Sequence, residues 1–480
     1  VKILFVASEA TPLVKVGGLA DVVGSLPKAL CDLGHDVRIM IPDYSIINSH
    51  EYVLVNVLKD IIVPPADLKF AVTVKEVTVD NAMRYYLVDN SRFFQSDEIY
   101  GEHEIERFFF FCRAGVSALS YIDWKPDIVH CHDWHSALVP LLLKKENFPA
   151  ASLFTIHNLV YQGWLNKDNL ADNDVMQYWE YLDQNIPEPL HNFMSLGVLW
   201  ADMISTVSEQ YAQEILTVDY GAGMDHLLKY RQNELTGILN GIDYEEYNPA
   251  HDPLIPANFT STTLIKRIEN KYALQKKVGI PPEEKTPVIG MVSRLDEQKG
   301  FNIMLEMLDR LLSSIECQLV ILGKGLESYQ YMLNKVSSRY PDKFKLVIGF
   351  DETLARLIYA GSDLFLMPSR FEPCGLGQMI AMRYGAVPVV RHTGGLVDTV
   401  EELAPDLSTG SGFVFENYDG SSLYNVLERA IRTCTASQND WQKVITRVMQ
   451  YDFSWKRSAA KYETVYRNIL NSRGYSKNEG

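Results

Sequence analysis

A chain of 480 residues with 47% apolar content is long enough to bury the cores of about two or three globular domains. Its net charge of −16 argues against nucleic acid as a partner, and any anionic ligand must be met by local lysines and arginines working against the global field. The six cysteines (Cys31, Cys112, Cys131, Cys317, Cys374, Cys434) are scattered without close CxxC pairs, which argues against a disulfide framework and for a reducing compartment, and no apolar run reaches the roughly 18–20 residues that span a bilayer.

The chain opens on an apolar strand, Lys2–Ala7, with no signal peptide before it; a start at Val1 rather than Met points to trimming of an upstream segment. Further short β-branched runs follow at Val37–Ile41, Ile128–His130, Ser152–Ile156 and Met203–Val207. A second set comprises Pro287–Val292, Gln318–Leu322, Lys345–Ile348, Asp363–Met367 and Val387–Val390. Continuous apolar strands alternating with helical patterns predict parallel sheets covered on both faces, here two doubly wound α/β domains. The boundary is set at residues 1–240 and 241–454, in the stretch Leu239-Asn240-Gly241-Ile242-Asp243, with residues 249–286 as a connector carrying one helix. From about Trp441 to Leu470 the tail is helical in pattern and is expected to pack across both halves.

In open α/β sheets ligands bind beyond the carboxyl ends of the strands, so those loops carry the candidates. Gly17-Gly18-Leu19-Ala20-Asp21, which follows Lys15, and Gly394-Gly395-Leu396-Val397-Asp398, which follows Arg391, nearly repeat each other. Paired glycines at a helix start uncover backbone N–H groups, a seat for phosphate or sugar hydroxyls, and two seats predict one ligand gripped from both halves. Arg294 and Lys299, in a loop that turns into a helix, suit a diphosphate, although two solvated charges would look the same. Glu372 reads either as an acceptor for sugar hydroxyls or as a helix cap. Asp133 is a hydroxyl acceptor, and His157, at a strand exit, is as readily functional as structural. His130-Cys131-His132-Asp133-Trp134-His135 lacks the Asp that a zinc hydrolase pattern needs at Trp134, so no metal is expected. Cys374 is a candidate exposed thiol, with a small residue tolerated beside a ligand as the plainer reading. Tyr178, Trp179 and Tyr181 form either a glucan-stacking surface or core packing. No GxGxxG follows the first strand, and neither a Walker A loop nor GxSxG is present.

Lys15-Val16-Gly17-Gly18-Leu19, Ser293-Arg294-Leu295 with Gln298-Lys299-Gly300, Ser369–Leu376 and Thr393-Gly394-Gly395-Leu396, in this order over nearly the whole chain, resemble the bacterial glycogen synthases and plant starch synthases. The resemblance implies a GT-B fold: two Rossmann-like domains facing a cleft, with a helix at about 455–475 returning to the first. It implies retaining transfer of glucose from ADP-glucose to the non-reducing end of an α-1,4-glucan, with no metal or other cofactor, in bacterial cytoplasm or plastid stroma. By motif position, Lys15 lies near the donor phosphates, and Arg294 and Lys299 neutralise the departing ADP. Glu372 and the amides of Gly394 and Gly395 hold glucose hydroxyls, with Cys374, Gly375, Leu376 and Thr393 in the same donor loops. His157 and Asp133 line the glucose. Gly17, Gly18, Asp21 and Asn240 lie on the donor side, Phe350 stacks on adenine, and Tyr100 lies on the acceptor side. Val16, Ala20 and Gly377 depart from the common pattern. Ile380 stands where broader retaining transferases often have a second Glu, so this loop offers no two-carboxylate scheme.

These residues suit a front-face displacement driven by preorganised positive charge, in which the leaving phosphate takes the acceptor proton. Covalent attack by Asp133 or Glu372 is the rival. Closure about a hinge near Asn240–Asp243 and the C-terminal helix would complete the site. A UDP-glucose-dependent transferase and a silent glucan-binding scaffold are the alternative functions; the joint presence of Lys15, Arg294, Lys299 and Glu372 argues against the scaffold.

Overall fold

The structure, a computed structural model, describes residues 1–47, 51–63, 70–80, 82–95, 98–165 and 190–474. The chain forms two units, Val1–Gly241 together with the segment from Trp455, and Ile242–Ser454.

The first unit holds β1 (Lys2–Val6), β2 (Asp36–Pro42), β3 (Val55–Val63), β4 (Phe70–Val79), β5 (Met83–Asp89), β6 (Ile128–His132), β7 (Ala151–Ile156), β8 (Met203–Thr206) and β9 (Leu235–Gly237). They lie in the order β3-β4-β5-β2-β1-β6-β7-β8-β9. The run from β5 through β2 and β1 to β9 is parallel, whereas β3–β4 and β4–β5 pair antiparallel. The expectation of a wholly parallel sheet therefore fails at one edge. The reason lies in the pattern: β1, β6 and β7 are buried on both faces and read as continuous apolar runs. In β4 the buried residues Val72, Val74, Val77 and Val79 are separated by more exposed ones, the half-buried alternation of a meander.

The second unit holds β10 (Val288–Val292), β11 (Gln318–Gly323), β12 (Phe344–Ile348), β13 (Leu364–Met367), β14 (Val387–Arg391) and β15 (Phe413–Phe415). Its order is β12-β11-β10-β13-β14-β15, parallel throughout. The parallel part of each sheet has one point where strand order reverses, between β1 and β6 in the first and between β10 and β13 in the second. At such a point neighbouring loops diverge and leave a crevice beyond the strand ends.

The tail is not one helix. Helix Gln438–Val448 packs on β14 and helix Gly377–Arg383 of the second unit, while helix Trp455–Ser472 packs on helix Gly18–Asp32 and β7 of the first. The latter helix buries Trp455, Ala459, Tyr462, Val465, Tyr466 and Ile469. It is pinned by the Tyr466 hydroxyl at 2.8 Å from His130 Nδ1 and by Arg473, whose guanidinium donates to Asp202 at 2.8 Å.

Candidate active site

In the second unit, the loops leaving β10 and β13 run side by side at the switch point. The Arg370 N–H donates to the Gln298 carbonyl at 2.8 Å, and Arg370 also pairs with Glu297 at 2.6 Å. Across this seam Lys299 Nζ reaches both carboxylate oxygens of Glu372, at 2.9 and 2.7 Å, and Ser369 Oγ donates to Oε2 at 2.9 Å. The Lys299 and Glu372 side chains are 17% and 7% exposed, so the pair sits where water screens it little and neither charge is readily left alone. Asp296 fixes the approach by accepting the Lys299 N–H at 3.1 Å. Arg294, by contrast, is more than half exposed and lies 3.3 Å from Asp296.

The second glycine pair serves this seam. A Cβ on Gly394, whose φ is +47°, would lie 2.0 Å from the Glu372 carbonyl oxygen, and one on Gly395 would lie 2.1 Å from that of Cys374. The Gly395 N–H donates to the Glu372 carbonyl at 3.0 Å. In this structure that amide, one of the two expected to hold glucose hydroxyls, is engaged by the loop that carries Glu372. The helix it opens, Gly395–Thr399, has only 5 residues, too short for a substantial dipole. Thr393 is fully buried and Cys374 is 5% exposed, which rules out the exposed-thiol alternative at Cys374. Gly375 has φ +70°, and both its carbonyl and that of Cys374 accept from Gln378 Nε2, at 2.9 and 3.1 Å; Leu376 leads into helix Gly377–Arg383. Phe350, beyond β12, is 86% exposed.

In the first unit the leading residue is Glu9, which the motif reading passed over. It lies three residues beyond β1 and is 2% exposed. Its Oε2 accepts the N–H groups of Val16 at 2.5 Å and Gly17 at 3.0 Å, and its Oε1 accepts the Tyr100 hydroxyl at 3.1 Å. The Gly17 N–H, expected at a donor-side seat, is met here by the chain's own carboxylate. Gly18 is the first residue of helix Gly18–Asp32, and beside it Lys15 and Asp21 pair with each other at 2.6 Å.

Asp133, just after β6, has φ +54°, a conformation uncommon outside glycine and one that marks strain held by its surroundings. Its Oδ1 accepts the His157 N–H at 2.7 Å and the Asn158 N–H at 3.5 Å, which ties the exits of β6 and β7. Burial pushes the Asp133 carboxyl up to about 7; the two N–H groups oppose the rise and the charge of Glu9 adds to it. His157 Nε2 lies 2.9 Å from His132 Nδ1, and burial drives its imidazole down to about 3, so it is neutral near pH 7. His130 is a satisfied core residue, held by Thr155 Oγ1 at 2.6 Å and by Tyr466. Asn240 is buried with its Oδ1 unpaired. Among the described residues no group of three or more His, Cys, Asp and Glu side chains is arranged to hold a metal. Tyr178, Trp179 and Tyr181 lie outside the described residues.

Residues 2–230 match the starch synthase catalytic domain family, and residues 274–444 match the group 1 glycosyl transferases. The chain is 43% identical to the glycogen synthase of Moorella thermoacetica, over 98% of this chain and 97% of that one. The chain belongs to the glycogen synthase and starch synthase family. It is likewise 43% identical to the Geotalea daltonii glycogen synthase, covering 98% of this chain and all of that one. The solved catalytic domain of starch synthase IV from Arabidopsis thaliana, bound to ADP and acarbose, shares 34% identity and a TM-score of 0.88, covering 98% of this chain and 99% of that one. The fold is GT-B, and the activity is glucosyl transfer in glycogen or starch synthesis. A glycogen or starch synthase takes glucose from a nucleotide sugar, so negative charge grows on a departing phosphate. Arg294, Lys299 and Glu372 stand in the unit Ile242–Ser454, and Lys15, Glu9, Asp133 and His157 in the other.

Proposed function

We propose that this synthase transfers glucose from ADP-glucose to the non-reducing end of an α-1,4-glucan, with retention and without a metal or other cofactor. The observation that carries this reading is the Lys299–Glu372 pair at the switch point, with Arg294 exposed beside it. Two strands away at the same carboxyl edge, the ring of Phe350 stands open for a base. The ADP bound in the plant starch synthase structure supports adenine as that base. As the bond from C1 to the phosphate oxygen breaks, Arg294 and Lys299 neutralise the charge left on the diphosphate. Once Lys299 turns to the phosphate, the Glu372 oxygens accept glucose hydroxyls. Lys15 adds charge on the donor side, and Asp133 and His157 hold the sugar.

The new C1–O bond forms on the face from which ADP leaves, and the leaving phosphate takes the acceptor proton. Covalent attack by Asp133 or Glu372 is the rival step, and a trapped glucosyl-enzyme adduct on either side chain would overturn the front-face displacement. Among the described residues no helix is long and apolar enough to cross a membrane, and the bacterial relatives favour the bacterial cytoplasm as the compartment.

Radiolabelled ADP-glucose incubated with short maltooligosaccharides, with product lengths resolved, should give a ladder growing one glucose at a time. Equal or faster transfer from UDP-glucose would overturn the donor assignment. Lys299→Ala should lower kcat by about 10²–10³-fold; an unchanged rate would remove Lys299 from the phosphate.

A further inference from the structure

Gln378, in the first turn of helix Gly377–Arg383, is fully buried and holds two loops at once. Its Nε2 donates to the carbonyls of Cys374 at 3.1 Å and Gly375 at 2.9 Å, and to Thr399 Oγ1 at 3.1 Å. Three oxygens around one nitrogen fix which end of the side-chain amide faces the loop. Thr399 gives its own proton to the Gly395 carbonyl at 2.7 Å, so toward Gln378 it accepts. The Gly395 N–H in turn meets the Glu372 carbonyl at 3.0 Å. Gln378 thus holds the loop that carries Glu372 directly, at two carbonyls, and again through Thr399 and the second glycine pair.

A trans peptide points its C=O and its N–H to opposite sides. With the Cys374 and Gly375 carbonyls both turned to Gln378, the N–H groups of Gly375 and Leu376, which share those two peptide planes, are turned away from it. Consecutive planes can face alike here because Gly375 has φ +70° and Leu376 follows in the right-handed region, with φ −105° and ψ −32°. Successive N–H groups in such a left–right sequence converge on one side and suit an oxygen that carries negative charge or lone pairs. Among the described residues neither N–H has an acceptor, although Gly375 is buried and Leu376 half-buried. A buried donor with no partner is costly, and a ligand is what would satisfy it. Gln378 carries the same bias: its Oε1 is buried with no partner. A tie kept for stability alone would satisfy both ends of the amide, whereas this one serves only the end that sets the carbonyls.

We propose that Gln378 is a positioning residue for the sugar-nucleotide donor. It touches no substrate; by holding two carbonyls inward it presents the Gly375 and Leu376 N–H groups to donor oxygens, in register with Glu372 three residues earlier. The role rests on the reading of ADP-glucose as the donor held by this loop. It separates the donor from the acceptor: loosening the two peptide planes weakens the hold on the nucleotide sugar and leaves glucan binding as it was.

Hydrogen exchange over residues 374–377, read by mass spectrometry on the wild type, should slow about tenfold when ADP-glucose is added without glucan. Gln378→Met keeps the length and loses both N–H groups, and Gln378→Glu keeps the shape while its carboxylate accepts but does not donate. Both variants should lower kcat about 30-fold and raise KM for ADP-glucose about tenfold, with KM for glycogen unchanged and the slowing of exchange lost. An unchanged KM for ADP-glucose in variants with a wild-type denaturation midpoint overturns the role, as does an equal rise in KM for glycogen. So does wild-type exchange that neither ADP-glucose nor UDP-glucose slows, a measurement that holds however the variants fold. Slowing by UDP-glucose and not by ADP-glucose would sink the donor assignment and leave Gln378 in its role.

Discussion

The two glycine pairs look alike in sequence and do different work. At Gly394 and Gly395 the glycines are steric: added Cβ atoms would fall 2.0 and 2.1 Å from carbonyl oxygens of the loop that carries Glu372. At Gly17 the backbone is extended, with φ −141°, and an added Cβ would meet only Glu9 Oε1, at 3.6 Å. One pair lets two loops touch, and the other faces a buried carboxylate that caps the turn. A repeated Gly-Gly-Leu therefore reports two strand-to-helix turns of like shape, while the chemistry comes from what is packed behind each. Substitutions at and around the two turns separate these roles.

The largest effect is expected at Gly395→Ala. The new methyl must displace the Cys374 carbonyl and with it the backbone from Glu372 to Cys374. Overpacking of this kind costs about 1–3 kcal/mol. A shift of about 1 Å in Glu372 and its Lys299 partner would lower kcat about 10²-fold. Chemical denaturation and steady-state rates on one preparation check both, and a rate within threefold of wild type would show that the loops do not need this approach.

Asp133→Asn comes next and tests the other turn's surroundings. Asparagine tolerates positive φ and still accepts the His157 N–H, so it removes charge and leaves shape. We expect kcat to fall about 10²-fold with little change in KM for ADP-glucose. The stability profile gives an independent sign. Between the usual 3.8 and about 7, folded Asp133 keeps a proton that the unfolded chain has lost, so its contribution falls as pH rises through that window. His157 acts oppositely: between about 3 and its usual 6.5 the unfolded chain binds a proton that the folded one does not, and stability rises with pH. Removing Asp133 removes only the falling term. The variant should gain on wild type from about pH 4 upward and hold the gain above about pH 7. Denaturant midpoints that keep a constant difference across this range would show that the carboxyl is not held up by burial.

The same contrast explains what was legible in the sequence. Strands buried on both faces announce themselves as apolar runs, which is why β1, β6, β7 and all but the short β15 of the second unit could be read from the chain. The meander β3-β4-β5 could not, because its alternating residues match no continuous run and β3 carries Lys59 and Asp60 among its valines and isoleucines. The loops holding Arg294, Lys299 and Glu372 were legible because their charges follow apolar strands directly. What failed to show was pairing across distance. Nothing local reveals that Glu9 caps Val16 and Gly17, that Lys15 meets Asp21, or that Ser369 serves Glu372. The usable signal for Glu9 was position, an acid at the carboxyl end of a buried strand just before a glycine-opened helix. Burial, which sets the ionisation of Asp133 and His157, has no sequence signature at a loop.

The smallest effect is expected at Gly17→Ala, and it is the sharpest test of the asymmetry. Alanine keeps the N–H that donates to Glu9, adopts an extended backbone without strain, and places its methyl at an ordinary contact distance from Oε1. Stability should stay within about 0.5 kcal/mol of wild type. Because Glu9 already fills the Gly17 amide, transfer from ADP-glucose should also change little, roughly threefold at most, whereas the same methyl at Gly395 is expected to cost about 10²-fold. If Gly17→Ala instead abolished transfer while leaving the denaturation midpoint in place, the donor would have to press directly on this bare backbone. Glu9 would then be a placeholder that yields to the substrate, and the two glycine pairs would be ligand seats after all.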